Sequence, residues 1–472
     1  MRGIIRTPGI SLKVIKMNKA ISKTLLTVTL VIVIIAIVIA VYFVTTPPAP
    51  TPTSPTTSPT SPTTSPTTPT SPTKPTVKEI KVGVILPLSG PLAQTGADMK
   101  RGIEFAVKKI NEQGGIKSLG GAKIVVVYGD SAGKPETGAA EAERLITQEK
   151  VVALVGAYQS AVTKTASEVA ERYEVPFINP DSTSPALTER GYKWFFRVTP
   201  HDEMFAEQHV EFVKWLEEKY GVEIKRIAII HEDTEWGTMS AEAWKKYFSQ
   251  AGYEIVKVVS YHAATVTSLD SEVDALKAAN PDIVLAACYV SDAILLVQTC
   301  KLRDFNPLAI IAQDAGFINP SYVKEVGEDG FYIFSREVFN WDLFEVVPGL
   351  KELNEEYKAE YGVDLNGNSA RDYTGIWVLY YALEEAGKKA DPSDLKAFRA
   401  AIREALVNLY IPKDKIIMPW DGVKFDEKGQ NILARGIIVQ MMPDDGKYHT
   451  VYPPEIATRE PIFPMPKWSE RK

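Results

Sequence analysis

Residues 151–179 read VVALVGAYQSAVTKTASEVAERYEVPFIN, and they contain one complete unit of the pattern that decides the fold. The runs 151–156 and 175–179 are continuously apolar, which is typical of strands buried on both faces, as in a parallel sheet. Between them, 160–174 carries small and apolar residues at helical spacing. A strand–helix–strand unit of this kind predicts a doubly wound α/β fold.

The same alternation continues on both sides of this stretch. It is interrupted near Thr199 and Pro200 and resumes after a predicted helix at 202–220. The sequence therefore predicts two similar Rossmann-like α/β lobes. The other predicted strands are 80–86, 123–129, 226–231, 253–261, 282–288 and 308–313.

The segment 25–44, LLTVTLVIVIIAIVIAVYFV, contains no charged residue. As a helix it would cover about 30 Å, the thickness of a hydrocarbon core. The preceding segment, 1–24, is basic and contains no acid, so the positive-inside rule keeps it in the cytoplasm. We expect an uncleaved, single-pass transmembrane anchor, with a cleaved signal peptide as the alternative. Translation could start at Met1 or at Met17.

The segment 45–76 is rich in Thr, Pro and Ser and cannot bury a core. Its prolines favour an extended, semi-stiff chain, and its hydroxyl groups are typical targets of O-glycosylation. We interpret it as an extracellular stalk that holds the folded body away from the membrane.

The composition argues against several functions. A formal net charge of −6 is unfavourable for a nucleic-acid partner. The 5 histidines have no metal-ligand spacing, and HEDTE at 231–235 has Glu235 where a zinc protease needs its second histidine. No nucleophile–base pair and no phosphate loop is evident. We therefore expect a binding protein without a cofactor or metal, and not an enzyme.

The chain has two cysteines, Cys288 and Cys300, and both lie in apolar stretches. Free cysteines are among the most frequently buried residues, so we expect two buried thiols. A single disulfide is the alternative.

Candidate binding residues follow the predicted strands, at the sheet edge where ligands of open α/β folds bind. Ser160 begins a helix after 151–156, Thr183 precedes a predicted helix at 185–190, and Asp314 follows 308–313. Ser160 is alternatively a plain helix cap and Asp314 a turn residue. Together, the helix amides and hydroxyls suit an anion and the carboxylate suits a cation, which favours a zwitterionic ligand.

Several long segments, in order over about 78–455, resemble the type I periplasmic solute-binding proteins, specifically their leucine/isoleucine/valine-binding branch. They include IKVGVILPLSGPLAQTGADMKRGIEFAVKKINEQGGI, AERLITQEKVVALVGAYQSAVTKTASEVAERYEVPFINPDSTSPALTERGYKWFFRVTP, RIAIIHEDTEWG, LKAANPDIVLAACYVSDAILLVQTCKLRDF and DGVKFDEKGQ. The resemblance implies two lobes that are joined by three crossovers and close over a small solute. It divides the body into a first lobe, 78–200 with 333–416, a second lobe, 201–332 with 417–460, and a tail, 461–472.

The resemblance also implies roles for individual residues. Carboxylate-binding hydroxyls fall on Ser160 and Thr183, backbone groups on Asp181 and Ser182, and the ammonium-binding acid on Asp314. The implied aromatic walls are Trp236 and Tyr289, with Tyr158 and Thr95 beside them.

Three positions depart from the family pattern, and one of them, Trp236, keeps an aromatic wall but loses a hydroxyl. Asp181 would repel a carboxylate unless it turns away or pairs with a cation, and Thr95 opens space on the first lobe. The expected solute is a branched-chain or related amino acid, with an amide-like or aromatic solute as the alternative. The expected partners are an ABC permease and its ATPase subunits, and a sensory ectodomain is the competing interpretation.

Overall fold

The structure, a computed structural model, describes residues 77–471. These residues belong to one compact unit, which spans 73–472. The predicted cytoplasmic segment, the anchor at 25–44 and the stalk at 45–76 lie outside the described residues. Among the helices of 77–471, none combines the length and apolarity needed to cross a bilayer.

The first lobe is built on a five-stranded, all-parallel sheet with the strand order β2-β1-β3-β4-β5. Its helices lie in the crossover connections between consecutive strands, as in a doubly wound fold. The strands are β1 (Glu79–Leu86), β2 (Lys123–Asp130), β3 (Leu154–Gly156), β4 (Phe177–Asn179) and β5 (Phe195–Arg197). The helices are α1 (Ala93–Glu112), α2 (Pro135–Thr147) and α3 (Ser160–Arg172).

The second lobe is built on a seven-stranded sheet with the order β14-β13-β10-β9-β8-β6-β7. Its central strands are parallel, and β13 and β14 are antiparallel additions at one edge. The strands are β6 (Arg226–Glu232), β7 (Glu254–Tyr261), β8 (Ile283–Ala287), β9 (Ala309–Ala312), β10 (Phe334–Glu337), β13 (Ile437–Met441) and β14 (Tyr448–Tyr452). The helices are α4 (Asp202–Tyr220), α5 (Glu235–Gln250), α6 (Asp270–Ala279), α7 (Val290–Leu302) and α8 (Pro320–Val326).

After β10 the chain returns to the first lobe. The long helix α10 (Gly367–Gly387) packs on α1, and α11 (Leu395–Val407) packs on α10. The elements of this return are α9 (Leu350–Tyr361), α10 (Gly367–Gly387), α11 (Leu395–Val407) and a small antiparallel pair, β11 (Tyr410–Pro412) and β12 (Gly422–Lys424).

Two of the predicted lobe boundaries are wrong. The boundary at 333 assigned β10 to the first lobe, but β10 pairs with β9 and β13 in the second sheet, so this crossover follows Glu337. The boundary at 417 assigned 417–432 to the second lobe. Instead, Arg197 at the end of β5 donates its N–H to the Gly429 carbonyl (2.7 Å) and accepts from the Asn431 N–H (2.9 Å). This segment therefore belongs to the first lobe.

The alternation of strands and helices in the sequence predicted the parallel strands, but it did not predict the elements outside this alternation. All eight strands predicted within 80–313 form, although β3 and β4 are shorter than their apolar runs. The predicted helix at 185–190 is only a 3-10 turn, Pro185–Leu187.

The tail packs against the second lobe, where the Trp468 indole donates to the Phe305 carbonyl (2.8 Å). Cys288 and Cys300 are buried free thiols, as expected.

Candidate functional site

The carboxyl ends of both sheets meet at one small cavity between the lobes, here called the cleft cavity. All the predicted site residues line it except Thr95. Its volume is about 20 Å³, which is room for about one water molecule. The lobes are therefore closed on each other, and a solute enters only when they part or side chains move. The lining residues are Tyr158, Ser160, Asp181, Ser182, Thr183, Trp236, Tyr289, Asp314, Ala315, Arg336 and Arg371.

The first-lobe wall consists of the loops after β3 and β4. Ser160 is the first residue of α3, and its hydroxyl accepts a hydrogen bond from the Ser184 N–H (3.2 Å). The exposed amides of such a helix start favour an anion. Gly156 makes the tight exit from β3 possible: its φ is 131°, and a Cβ there would lie 2.3 Å from the Ile85 carbonyl oxygen.

Ser182 and Thr183 have different surroundings in the loop after β4. The Ser182 hydroxyl lies within hydrogen-bond distance of the carbonyls of Ala157 (2.8 Å) and Tyr158 (3.0 Å), and it contacts the Thr163 hydroxyl (2.6 Å). Its side chain therefore joins the two loops of the first lobe. Thr163 was not predicted, because a threonine inside a helix carries no distinctive pattern. The Thr183 backbone carbonyl accepts from the Asp202 N–H (2.9 Å).

The second lobe contributes an aromatic wall. Trp236 lies in the first turn of α5 and Tyr289 caps α7, with their ring centroids 5.0 Å apart. Tyr158 approaches Tyr289 from the first lobe at 6.3 Å. The Asp292 carboxylate fixes Tyr289 by accepting from its N–H (3.0 Å). This wall suits an apolar or aromatic solute group.

Asp314 is held in a turn by its backbone and by two arginines. It and Ala315 have φ values of 60° and 47°, in the left-handed region that non-glycine residues rarely adopt. Its Oδ2 accepts from Arg336 Nη1 (2.7 Å) and from Arg371 Nη1 (2.5 Å). Burial alone would raise the pKa of Asp314, but the two guanidinium groups outweigh it and the pKa lies below its ordinary value.

Asp181 also pairs with a cation. This pairing is required beside the predicted carboxylate site, because an unpaired Asp181 would repel a bound carboxylate. Its Oδ1 lies 3.1 Å from Arg371 Nε. Burial nevertheless dominates, and together with the nearby Asp314 charge it outweighs the attraction of Arg371, raising the pKa of Asp181 to about 7. Burial thus shifts Asp181 toward its protonated form.

Arg336 and Arg371 were missed by the sequence analysis. Arg336 lies in β10, a strand that the pattern did not predict, and its guanidinium packs 3.7 Å from the centre of the Phe205 ring. Arg371 lies in the first turns of α10 and also donates to Asn368 Oδ1 (2.8 Å). A lone Arg-Glu pair in FYIFSREVF (331–339) is the one available hint, because charges inside an apolar run are usually paired.

Thr95 does not line the cleft cavity. Its hydroxyl accepts from Asn319 Nδ2 (3.1 Å), which joins α1 of the first lobe to the start of α8 in the second. Thr95 is thus placed at the contact between the lobes and not at the cavity wall.

Two further interactions span the closed cleft. Arg371 of the first lobe donates to Asp314 of the second in a buried ion pair. At the rim, Lys164 Nζ lies 2.8 Å from Glu235 Oε2. Polar contacts between side chains of the two lobes therefore stabilise the closed arrangement.

The side chains around the cavity suit the recognition of a small polar solute. Hydroxyls, helix amides, two acids, two arginines and three aromatic rings surround it. Within 77–471, no cluster of three or more His, Cys, Asp or Glu side chains is arranged to hold a metal ion.

Two doubly wound lobes that close over a small, polar and aromatic cavity at the carboxyl ends of their strands define a class of protein, the two-lobed solute-binding proteins. Residues 79–432 match the family model described as periplasmic binding protein. The chain belongs to this family, as the resemblance of its sequence predicted.

Curated relatives and solved structures agree with this assignment. The Leu/Ile/Val-binding protein homolog 7 of Brucella suis is 34% identical over 396 residues, which cover 82% of this chain and 94% of the relative. A branched-chain amino acid transporter substrate-binding protein of Streptococcus pneumoniae, solved with isoleucine, has a TM-score of 0.65 at 23% identity and covers 79% of this chain and 98% of its own. A solute-binding protein of an ABC transporter from Rhodopseudomonas palustris, solved with 3,4-dihydroxybenzoic acid, has a TM-score of 0.65 at 20% identity, with coverages of 79% and 95%.

Proposed function

We propose that this chain is the membrane-tethered, extracellular solute-binding component of an ABC importer, and that it binds a branched-chain or related amino acid between its lobes. The proposal assigns the protein no catalytic step. Binding would hold the lobes closed, and the closed form would deliver the solute to a permease driven by cytoplasmic ATPase subunits.

The observation that carries this proposal is the make-up of the cleft cavity. One wall has the Ser160 hydroxyl at a helix start, and the opposite wall has Trp236 and Tyr289. A helix start and hydroxyls suit a carboxylate, and aromatic rings suit an aliphatic side chain. The names of the curated relatives support the same solute class.

The tether is proposed from the sequence alone. The uncharged segment 25–44 has the length of a membrane-spanning helix, and the Thr/Pro/Ser-rich segment 45–76 separates it from the folded body. A single-pass anchor with a cytoplasmic N-terminus would place the cleft outside the cell, near a permease in the same membrane.

A thermal-shift screen tests the solute class directly. The fragment 77–472 would be heated with each of the natural amino acids, because a ligand that binds only the folded state raises the melting temperature. We expect leucine, isoleucine or valine to raise it. Stabilisation by sugars or amides alone, without any amino acid, would refute the solute class.

A second candidate, an aromatic acid, is favoured by one observation. Three aromatic side chains line the cleft cavity, and one structural relative was solved with 3,4-dihydroxybenzoic acid. Adding benzoic and dihydroxybenzoic acids to the same screen separates the two solute classes.

A further inference from the structure

The two acids of the cleft cavity differ in how completely the protein satisfies them. Asp314 Oδ2 accepts from two guanidinium groups, at 2.7 Å from Arg336 and 2.5 Å from Arg371. These two ion pairs balance the charge of Asp314 within the protein, and only its Oδ1 is left without a hydrogen-bond donor among the described residues. An ammonium group that approached Asp314 would compete with both arginines, which are themselves buried.

Asp181 is less completely satisfied. It lines the cleft cavity, its side chain is 1% exposed, and neither of its oxygens accepts a hydrogen bond from an N–H group or an alcohol hydroxyl of the described residues. Arg371 Nε lies 3.1 Å from Oδ1, but its N–H is directed too poorly for a hydrogen bond. Buried polar groups are almost always hydrogen-bonded, so an unsatisfied carboxylate beside a ligand cavity points to a ligand donor.

The carboxyl group of Asp372 on α10 also interacts with Asp181. Burial and the nearby Asp181 charge raise the pKa of Asp372 well above its ordinary value, and Arg371 does not compensate. Asp372 therefore favours its protonated form, in which its carboxyl O–H can donate to Asp181. Of these two carboxyl groups, Asp181 is the one that lines the cleft cavity.

We propose that Asp181, and not Asp314, receives the ammonium group of the solute. The inference rests on the proposed function, since it concerns how an amino acid is recognised in the same cavity. It makes Asp181 a specificity-determining residue that selects an acid with a neighbouring ammonium group over its deaminated analogue. Asp314 then acts as a structural junction between β9, β10 and α10.

This assignment makes recognition depend on pH. The charged and titratable groups around Asp181 are Arg371 and Asp372 on α10, Asp314 after β9, Arg336 on β10, and Tyr158 after β3. Burial raises the pKa of Asp181 to about 7 in the empty cavity. Only the ionised form attracts an ammonium group, so the preference for an amino acid rises as the pH increases from about 6 to about 8.

The test uses two probes that differ only in the ammonium group, leucine and 4-methylpentanoate. Their dissociation constants would be measured by calorimetry on the full chain in detergent, for the wild type, for Asp181→Asn and for the control Asp98→Asn. Asp98 is a buried carboxylate of the same lobe that does not line the cleft cavity. Melting temperatures would establish that each variant is folded.

We expect the wild type to prefer leucine at least about tenfold at pH 8, the scale of one charge-assisted hydrogen bond. Asp181→Asn should abolish the preference by weakening leucine alone, and Asp98→Asn should leave it intact. In the wild type the preference should be about tenfold smaller at pH 6, because a carboxyl group with a pKa near 7 is then mostly protonated.

The other outcomes overturn the assignment. If Asp181→Asn retains the preference for leucine, or if the wild-type preference is the same at pH 6 and pH 8, the ammonium group is bound elsewhere. The pH profile needs no variant, so it decides the question even if Asp181→Asn does not fold. A wild type that binds neither probe refutes the proposed function, and the assignment with it.

Discussion

The first and second lobes each place an aspartate after a strand of a largely parallel sheet, at the same cavity, yet the two carboxylates are in opposite states. Asp314 of the second lobe accepts from two arginines, and its pKa is lowered. Asp181 of the first lobe has one poorly aligned arginine and a neighbouring carboxyl group, and burial raises its pKa to about 7. Equivalent positions in two similar folds thus have different chemistry because their neighbours differ.

The comparison shows that two lobes of the same type can offer a solute carboxylates of different charge state. The strand ends determine where polar residues reach the cleft. The charge partners come from β10 and α10, elements outside the alternating core of the first lobe. A substitution of an arginine in β10 or α10 therefore alters which of the two acids is available to a solute, while the strand order of the sheets stays the same.

The largest effect is expected from Asp314→Asn. It leaves Arg336 and Arg371 buried without their common counter-charge, which typically costs about 3–5 kcal/mol. We expect a loss of this size in the free energy of unfolding, measured by urea denaturation of the fragment 77–472. Asp181→Asn is the matched substitution, and it should cost much less because its one arginine partner, Arg371, still has Asp314 as a counter-charge. Equal losses in the two variants would contradict the difference between the lobes.

The aromatic wall of the second lobe should affect binding more than stability. Trp236→Ala removes a ring that packs 5.0 Å from Tyr289 and lines the cleft cavity. We expect the affinity for the bound amino acid to fall by about 2 kcal/mol, the scale of an aromatic residue central to a binding site. Trp236→Phe keeps a ring and should recover most of the affinity. Unchanged calorimetric affinity in Trp236→Ala would exclude this wall from the solute site.

Glu337 allows a test of the buried charges by pH. Burial and the Asp314 charge raise its pKa to about 8, despite Arg371. A carboxyl group whose pKa is raised in the folded state stabilises the fold while protonated, and this stability is lost as the pH rises. Between about pH 6.5 and pH 8.5, the wild type should therefore lose about 1–2 kcal/mol more stability than Glu337→Gln, whose side chain cannot ionise. Parallel pH profiles of unfolding would show that Glu337 is ionised throughout.

The smallest effect is expected at the rim of the cleft. Lys164→Ala removes the ion pair with Glu235, but the lysine side chain is 49% exposed. Exposed pairs contribute about 0–1 kcal/mol, so the solute affinity should change less than about fivefold. Small-angle scattering would check that the lobes still close on ligand. A larger loss of solute affinity would mean that the Lys164–Glu235 pair contributes more to closure than an exposed ion pair is expected to contribute.

The sequence was sufficient to locate the walls of the site but not its charge partners. Ser160, Thr183 and Asp314 were found because they follow apolar runs, and a strand end fixes where such residues lie. Asp181 was identified through the family resemblance. Arg371 was missed because its partners are far away in the chain, at 181 and 314. Sequence spacing carries no information about such a pairing.

The same reasoning explains the errors in the fold. β10 is only four residues long, and β13 and β14 join the sheet antiparallel, so none of them belongs to the strand–helix alternation. The crossover boundaries at 333 and 417 depended on these elements. Thr95 was placed at the cavity wall, but its hydroxyl is bonded to Asn319 across the cleft. Contacts between the lobes join residues that are far apart in the sequence, so the local pattern of apolar and polar residues does not specify them.

The most direct measurement is a crystal structure of the body with a branched-chain amino acid bound. The account predicts that the solute lies between the lobes, with its carboxylate near Ser160 and Thr183 and its side chain against Trp236 and Tyr289. The ammonium nitrogen should lie about 3 Å from an Asp181 oxygen. A nitrogen bonded to Asp314, with Arg371 displaced, would contradict the difference between the two acids, and a solute outside the cleft would contradict the proposed function.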